Sequence, residues 1–214
     1  MSGLISAHLR DEAPPLTSLP SSGRSEGYWR IVAALCGAVL GFCAPGLEQW
    51  YLPWFLPTTL LLLAFASGSP WLAGCRGFCF GMGYNLVYLS WLLTFRSAYC
   101  EGTFSYCPQF AAFAIWLMLA AWQGLYVSVF PCLLKAIPLV SGWLPIRQGG
   151  NWHWPTFLVL PLAWVLIDRM CNTTQLLGFP WSPLHYSQYK QLVVIQSASI
   201  IGGVGISAWI MLVN

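Results

Sequence analysis

Phe110 to Lys135 reads FAAFAIWLMLAAWQGLYVSVFPCLLK, with no Asp, Glu, Lys or Arg before its final residue. Crossing the hydrocarbon core of a bilayer as a helix takes roughly 20 apolar residues, so this stretch is long enough to span. It is continuously apolar, whereas a transmembrane barrel strand alternates between a lipid face and a polar lumen. The stretch therefore predicts a membrane helix.

Working outward, five further apolar blocks share this character: residues 31–44, 52–67, 72–95, 155–171 and 191–213. Pro45-Gly46 ends the first, and Tyr28-Trp29-Arg30 places its entrance in the headgroup layer. The second is entered through Pro53 and Pro57 and closed by Ser67-Gly68-Ser69-Pro70. Composition makes the same demand. Hydrophobic residues are 57% of the chain and charged residues 7%, against about 25% charged in a soluble domain. So few charges cannot cover a water-facing surface. Thirteen tryptophans suit an interfacial aromatic belt. The expected fold is all-α, a polytopic transmembrane bundle of six spans occupying residues 28–214.

Lys and Arg set the orientation. With the N-terminus inside, Arg10, Arg24, Arg30, Arg76, Lys135 and Arg147 are cytoplasmic, and Arg96, Arg169 and Lys190 fall outside. That divides the chain's nine Lys and Arg six to three, which the positive-inside rule favours. Both termini are then cytoplasmic. Residues 1–27 differ in kind: the run Ala13-Pro14-Pro15 through Gly23 is polar and proline-rich, and reads as a disordered cytoplasmic tail. No signal-peptide pattern is present there.

Of eight cysteines, Cys36, Cys43, Cys75, Cys79, Cys132 and Cys171 lie in or at the ends of predicted spans, where cysteine acts as a small apolar residue. Cys75 and Cys79 are one turn apart but have no histidine or second pair beside them, and structural zinc takes four ligands. No metal and no cofactor are expected, and no nucleic-acid partner. Cys100 and Cys107 share an outer loop, where an oxidising compartment could join them or leave both thiols free. Gly37 and Gly41 share one helix face, as do Gly77 and Gly81. Such spacing brings helix backbones together in lipid; the alternative is that Gly77, Gly81 and Gly83 make room for an acyl chain.

Between the last two blocks runs Gly178-Phe179-Pro180-Trp181-Ser182-Pro183-Leu184-His185-Tyr186-Ser187-Gln188. Two prolines oppose a regular helix across it, and its aromatic rings favour a membrane boundary. The order Gly-Phe-Pro-Trp, four residues, then Tyr-Ser-Gln resembles the signature loop of apolipoprotein N-acyltransferase, a bacterial family that adds the third acyl chain to lipoproteins. The resemblance extends to Pro161-Leu162-Ala163-Trp164 with Asp168, to the run from Ile201 to Ser207, and to the run from Gly77 to Tyr84 followed by Leu89-Ser90-Trp91. It covers roughly residues 30–214.

The resemblance implies a bacterial inner-membrane protein with phospholipid and lipoprotein substrates. It places the loop on the periplasmic side, as the charge count does. It also implies a nitrilase-like catalytic domain bearing a Glu-Lys-Cys triad, whose thiolate takes the acyl chain as a thioester. No cysteine here lies in a matching motif, so no catalytic residue is assigned, and the chain is expected to be inactive alone. Glu101 beside Cys100 lacks the lysine. The sequence ends before such a domain, which would be supplied in cis or in trans. Two departures stand out: Asn172 where members carry an arginine, with Arg169 a turn earlier, and His185 where many have glycine.

Gly178, Phe179, Pro180, Trp181, Tyr186, Ser187 and Gln188 form the candidate lipid-access surface. Trp181, Tyr186 and Gln188 are expected to face an opening, with Gln188 either bracing the turn or holding a headgroup. Three function classes compete: the membrane domain of an acyltransferase, a non-catalytic membrane partner of a separately encoded catalytic domain, and a small transporter. Transport needs polar groups inside the spans. Asn85, Gln123 and Asp168 are few for that purpose.

Overall fold

In a computed structural model of the chain, the described residues are 23–96, 108–136, 154–173 and 182–214. All regular structure among them is helical. Helix α1 is Gly23–Gly41, α2 Pro57–Phe65, α3 Pro70–Tyr88, α4 Pro108–Ala136, α5 Trp154–Thr173, α6 Leu192–Gln196 and α7 Ala198–Val213. Short 3-10 turns occupy Leu52–Trp54, Ser90–Arg96 and Leu184–Gln188. Proline opens α2, α3 and α4, where its missing N–H would have had no helical partner. Ser69 caps α3 by accepting from the Leu72 N–H at 3.2 Å.

Helix α3 is central, packed between α1 and α4. Glycines permit both contacts. A Cβ on Gly37 would collide with the Phe80 carbonyl, and one on Gly83 with the Ala34 carbonyl. On the other side of α3, Gly77 lies against Pro131, and Gly81 against Val127 and Gly124. Neighbouring helices fill the space, so these glycines serve close packing and leave no room there for an acyl chain.

Apolar side chains fill the interior and also cover much of the surface. Ile31, Leu35 and Val39 form an exposed apolar stripe on α1, while Arg76, Asn85, Gln123, Asp168 and Ser207 are buried. Arg76, only 2% exposed, lies between α1, α2 and α3. Its Nη2 donates to Glu26 Oε1 at 2.6 Å, its Nη1 donates to the Leu63 carbonyl at 3.0 Å, and its guanidinium lies 5.6 Å from the Trp29 ring centre. Lys135 Nζ donates to the Phe65 carbonyl at 3.3 Å. These two cations satisfy carbonyls at the C-terminus of α2, which carry no helical partner and the negative end of the helix dipole.

Three boundaries differ from the sequence reading. Helix α1 begins at Gly23, before the expected Tyr28, with Glu26 in its first turn. Among the described residues one helix, Phe110–Ala136, is long and apolar enough to cross a membrane; Leu52–Phe65 and Ala198–Val213 are shorter apolar stretches. The block 191–213 is not one straight helix. It turns at Ser197, between α6 and α7, and Gly202 adopts φ 70° and ψ 169°, a left-handed backbone that glycine tolerates without steric cost. Gln188 accepts from the Trp54 indole, and Asn214 Nδ2 donates to the carbonyl of adjacent Pro53 at 3.0 Å. A straight helix would hold residues 188 and 214 roughly 39 Å apart. The segment therefore folds back, and Asn214 meets the N-terminal end of α2, not the end carrying Arg76.

Candidate functional site

Gly178, Phe179, Pro180 and Trp181 lie outside the described residues, as do Cys100 and Cys107. The described part of the loop begins at Ser182. Pro183, with φ −64° and ψ 142°, turns the chain into the 3-10 turn Leu184–Gln188. That turn separates the candidate residues by role: Tyr186 is 41% exposed, while Ser187 and Gln188 are buried.

Gln188 does not face an opening. It is fully enclosed, and its amide Nε2 donates to the Trp50 carbonyl at 2.8 Å and to Ser187 Oγ at 2.7 Å. Its Oε1 accepts from Trp54 Nε1 at 3.3 Å. Of the two roles open to it, bracing the turn is the one its bonding capacity serves. The amide ties this loop to the segment between α1 and α2.

A second tie joins the same segments at the surface. Glu48, held at φ 63° in the left-handed region, accepts from Lys190 Nζ and from Tyr189 Oη, the latter at 3.0 Å. Lys190 above all, then Tyr189, holds the Glu48 carboxyl below its ordinary range; Glu48 raises Lys190 in return. The outer-loop lysine and the turn after α1 therefore share one end of the bundle. Arg76 and Lys135 lie towards the other end of α2.

His185 points into the fold. Its ring fills the space that Gly203 leaves: a Cβ there would sit 2.7 Å from His185 Nε2. Burial pushes its imidazole below the ordinary histidine value. Nδ1 lies 3.0 Å from Ser207 Oγ and 4.0 Å from Asp168 Oδ2. The residue types are those of a hydrolytic triad, but a relay needs the serine and the acid on opposite ring nitrogens. Here both face Nδ1, so the cluster cannot activate Ser207; the His185–Ser207 contact fastens the loop to α7. Chain order does not foretell this grouping, because its members lie on three separate elements.

Beneath the loop is a cavity of about 40 Å³, bounded by α1, α3, α4, α5 and residues 182–184. Asn85, Gln123 and Asp168, the three polar residues noted inside the apolar blocks, all line it. Tyr84 Oη donates to the Ser182 carbonyl at 2.9 Å across its top.

Residues 36–214 match the model of the apolipoprotein N-acyltransferase N-terminal domain. The chain belongs to this family. It is 30% identical to the apolipoprotein N-acyltransferase of Nitrosomonas europaea over 191 residues, covering 87% of this chain and 34% of that protein. The enzymes of the same name from Geobacter metallireducens and Methylococcus capsulatus are also 30% identical, over 190 and 168 residues, covering 86% and 73% of this chain. Of those two relatives the match covers 32% and 30%. The chain spans about a third of the length of the curated relatives it matches.

Proposed function

We propose that this chain is the membrane-embedded front part of a lipoprotein N-acyltransferase, the anchor and lipid-access part of phospholipid-to-lipoprotein acyl transfer. Family membership carries the reading. The many exposed apolar side chains, such as the Ile31, Leu35 and Val39 stripe, support embedding in lipid. The two charged ends support a bundle oriented across a bacterial inner membrane, with the Arg76 end cytoplasmic and the Glu48–Lys190 end periplasmic. In this reading the apolar blocks traverse or enter the bilayer, and the last of them folds back.

Acyl transfer itself would belong to a nitrilase-like catalytic part, on the same polypeptide or a separate one. Residues 1–214 alone form no thioester and transfer no acyl group. Trp181 and exposed Tyr186 would line the entrance, with Gln188 and His185 holding the loop in place. Fusing residues 1–214 to the remaining part of the Nitrosomonas europaea relative tests this directly. The fusion should N-acylate a diacylglyceryl-cysteine lipoprotein, and Trp181→Ala with Tyr186→Ala should slow it without lowering membrane insertion. Parent-rate acylation by the double variant would refute the entrance.

A further inference from the structure

The cavity beneath the 182–188 loop is walled by side chains whose hydrogen-bonding needs are unmet. Asn85 is 1% exposed and its Nδ2 donates to the Gly81 carbonyl at 2.8 Å, leaving Oδ1 with no partner among the described residues. Asp168 is 9% exposed, and its Oδ2 is likewise unpartnered, with His185 Nδ1 beyond hydrogen-bond reach at 4.0 Å. Trp164 supplies the third group: its ring forms part of the wall, and its buried indole N–H has no acceptor. Buried polar groups are normally paired, with protein or with ordered water.

We infer that this cavity is a built hydration site, holding ordered water that joins Asn85, Asp168 and Trp164 between α3, α4 and α5. The volume of about 40 Å³ accommodates about one to three water molecules. It is too small for a lipid headgroup. A hard cation such as Ca2+ or Mg2+ takes six or more oxygen ligands, whereas this wall presents two unpartnered acceptors and one N–H donor. Water both donates and accepts, and so fits all three. The Ser207 hydroxyl bears on the Asp168 carboxyl, which leaves Oδ2 as the oxygen for water to reach. This inference does not depend on acyl transfer, and its readout is separate from that activity.

X-ray radiolytic footprinting of the unaltered chain in lipid nanodiscs tests it, because hydroxyl radicals born from internal water mark the side chains beside it. Trp116 is the reference, since it is half-buried like Trp164 but its indole N–H is paired, donating to the Leu86 carbonyl at 3.0 Å. Trp164 should be modified several-fold faster than Trp116, and Asn85→Leu should bring it down to the Trp116 rate. Should Asn85→Leu fail to fold, the comparison within the unaltered chain still decides. Equal rates at the two tryptophans would overturn the inference. Exchanging sodium for choline at constant ionic strength should leave the footprint and Tm unchanged; a sodium-specific shift would overturn water in favour of a bound cation.

Discussion

Gln188→Ala removes three hydrogen bonds at once: to the Trp50 carbonyl, to Ser187 Oγ and from Trp54 Nε1. The magnitude follows from what is left behind. Trp50 is exposed, so its carbonyl recovers a partner from solvent or headgroups. The half-buried Trp54 indole does not, and an unsatisfied buried donor costs about 1–3 kcal/mol. Deleting a fully enclosed side chain adds a packing loss, for an expected total of about 2–4 kcal/mol. Equilibrium unfolding in mixed detergent micelles, titrated with SDS, measures it. Gln188→Glu should be worse than alanine, since a carboxylate cannot donate to Trp50 and carries charge into an enclosed place. With Trp54→Phe already present, the alanine change should cost about 1 kcal/mol less, because the orphaned donor has gone. A Gln188→Ala variant within about 0.5 kcal/mol of the parent would refute the claim that this amide holds the two segments together.

Glu26→Ala leaves the buried Arg76 guanidinium without its carboxylate and should cost about 3–5 kcal/mol in the same unfolding assay, as for a broken buried ion pair. Gly83→Leu drives a side chain into the Ala34 carbonyl and should abolish the α1–α3 contact, read as loss of amide-exchange protection along α1. The Glu48–Lys190 contact should be sensitive to pH and salt. Glu48 is lowered from 4.5 by Lys190, so its contribution is complete above about pH 4.5 and is lost as pH falls through the lowered value. Lys190 is raised from 10.5, so its share is complete below that pH and is lost as pH rises through the raised value. Amide exchange of residues 184–191 should accelerate at both extremes and in high salt.

The all-helical character was legible because apolar runs such as Phe110–Lys135 leave no other way to satisfy the backbone in lipid. Glycine spacing also read correctly, since close approach depends only on which face lacks side chains. Span boundaries were less legible. The 191–213 run reads as one block by its length, although Gln196-Ser197 and Gly202-Gly203 interrupt it where the structure turns and kinks. Glu26 was assigned to the tail because its partner Arg76 lies fifty residues away, on another helix. Gln188 illustrates the limit for the site: a polar residue beside aromatics reads as interfacial, but its burial depends on Trp50 and Trp54, brought to it from the far side of α1. Asn85, Gln123 and Asp168 were each visible as exceptions in apolar blocks; their convergence on one cavity belongs to the packing of α3, α4 and α5.

The central claim is a membrane bundle with the 48–190 end outside and the Arg76 end inside. Labelling with a membrane-impermeant maleimide in intact cells tests it most directly, using Leu47→Cys and Gln191→Cys with an N-terminal tag on the same chain. Both cysteines should label above the background of the parent chain before any permeabilisation, while the tag stays hidden from antibody until the membrane is opened, and carbonate washing should leave the protein in the membrane. Labelling of Leu47→Cys and Gln191→Cys from opposite sides, or release of the chain by carbonate, would contradict it.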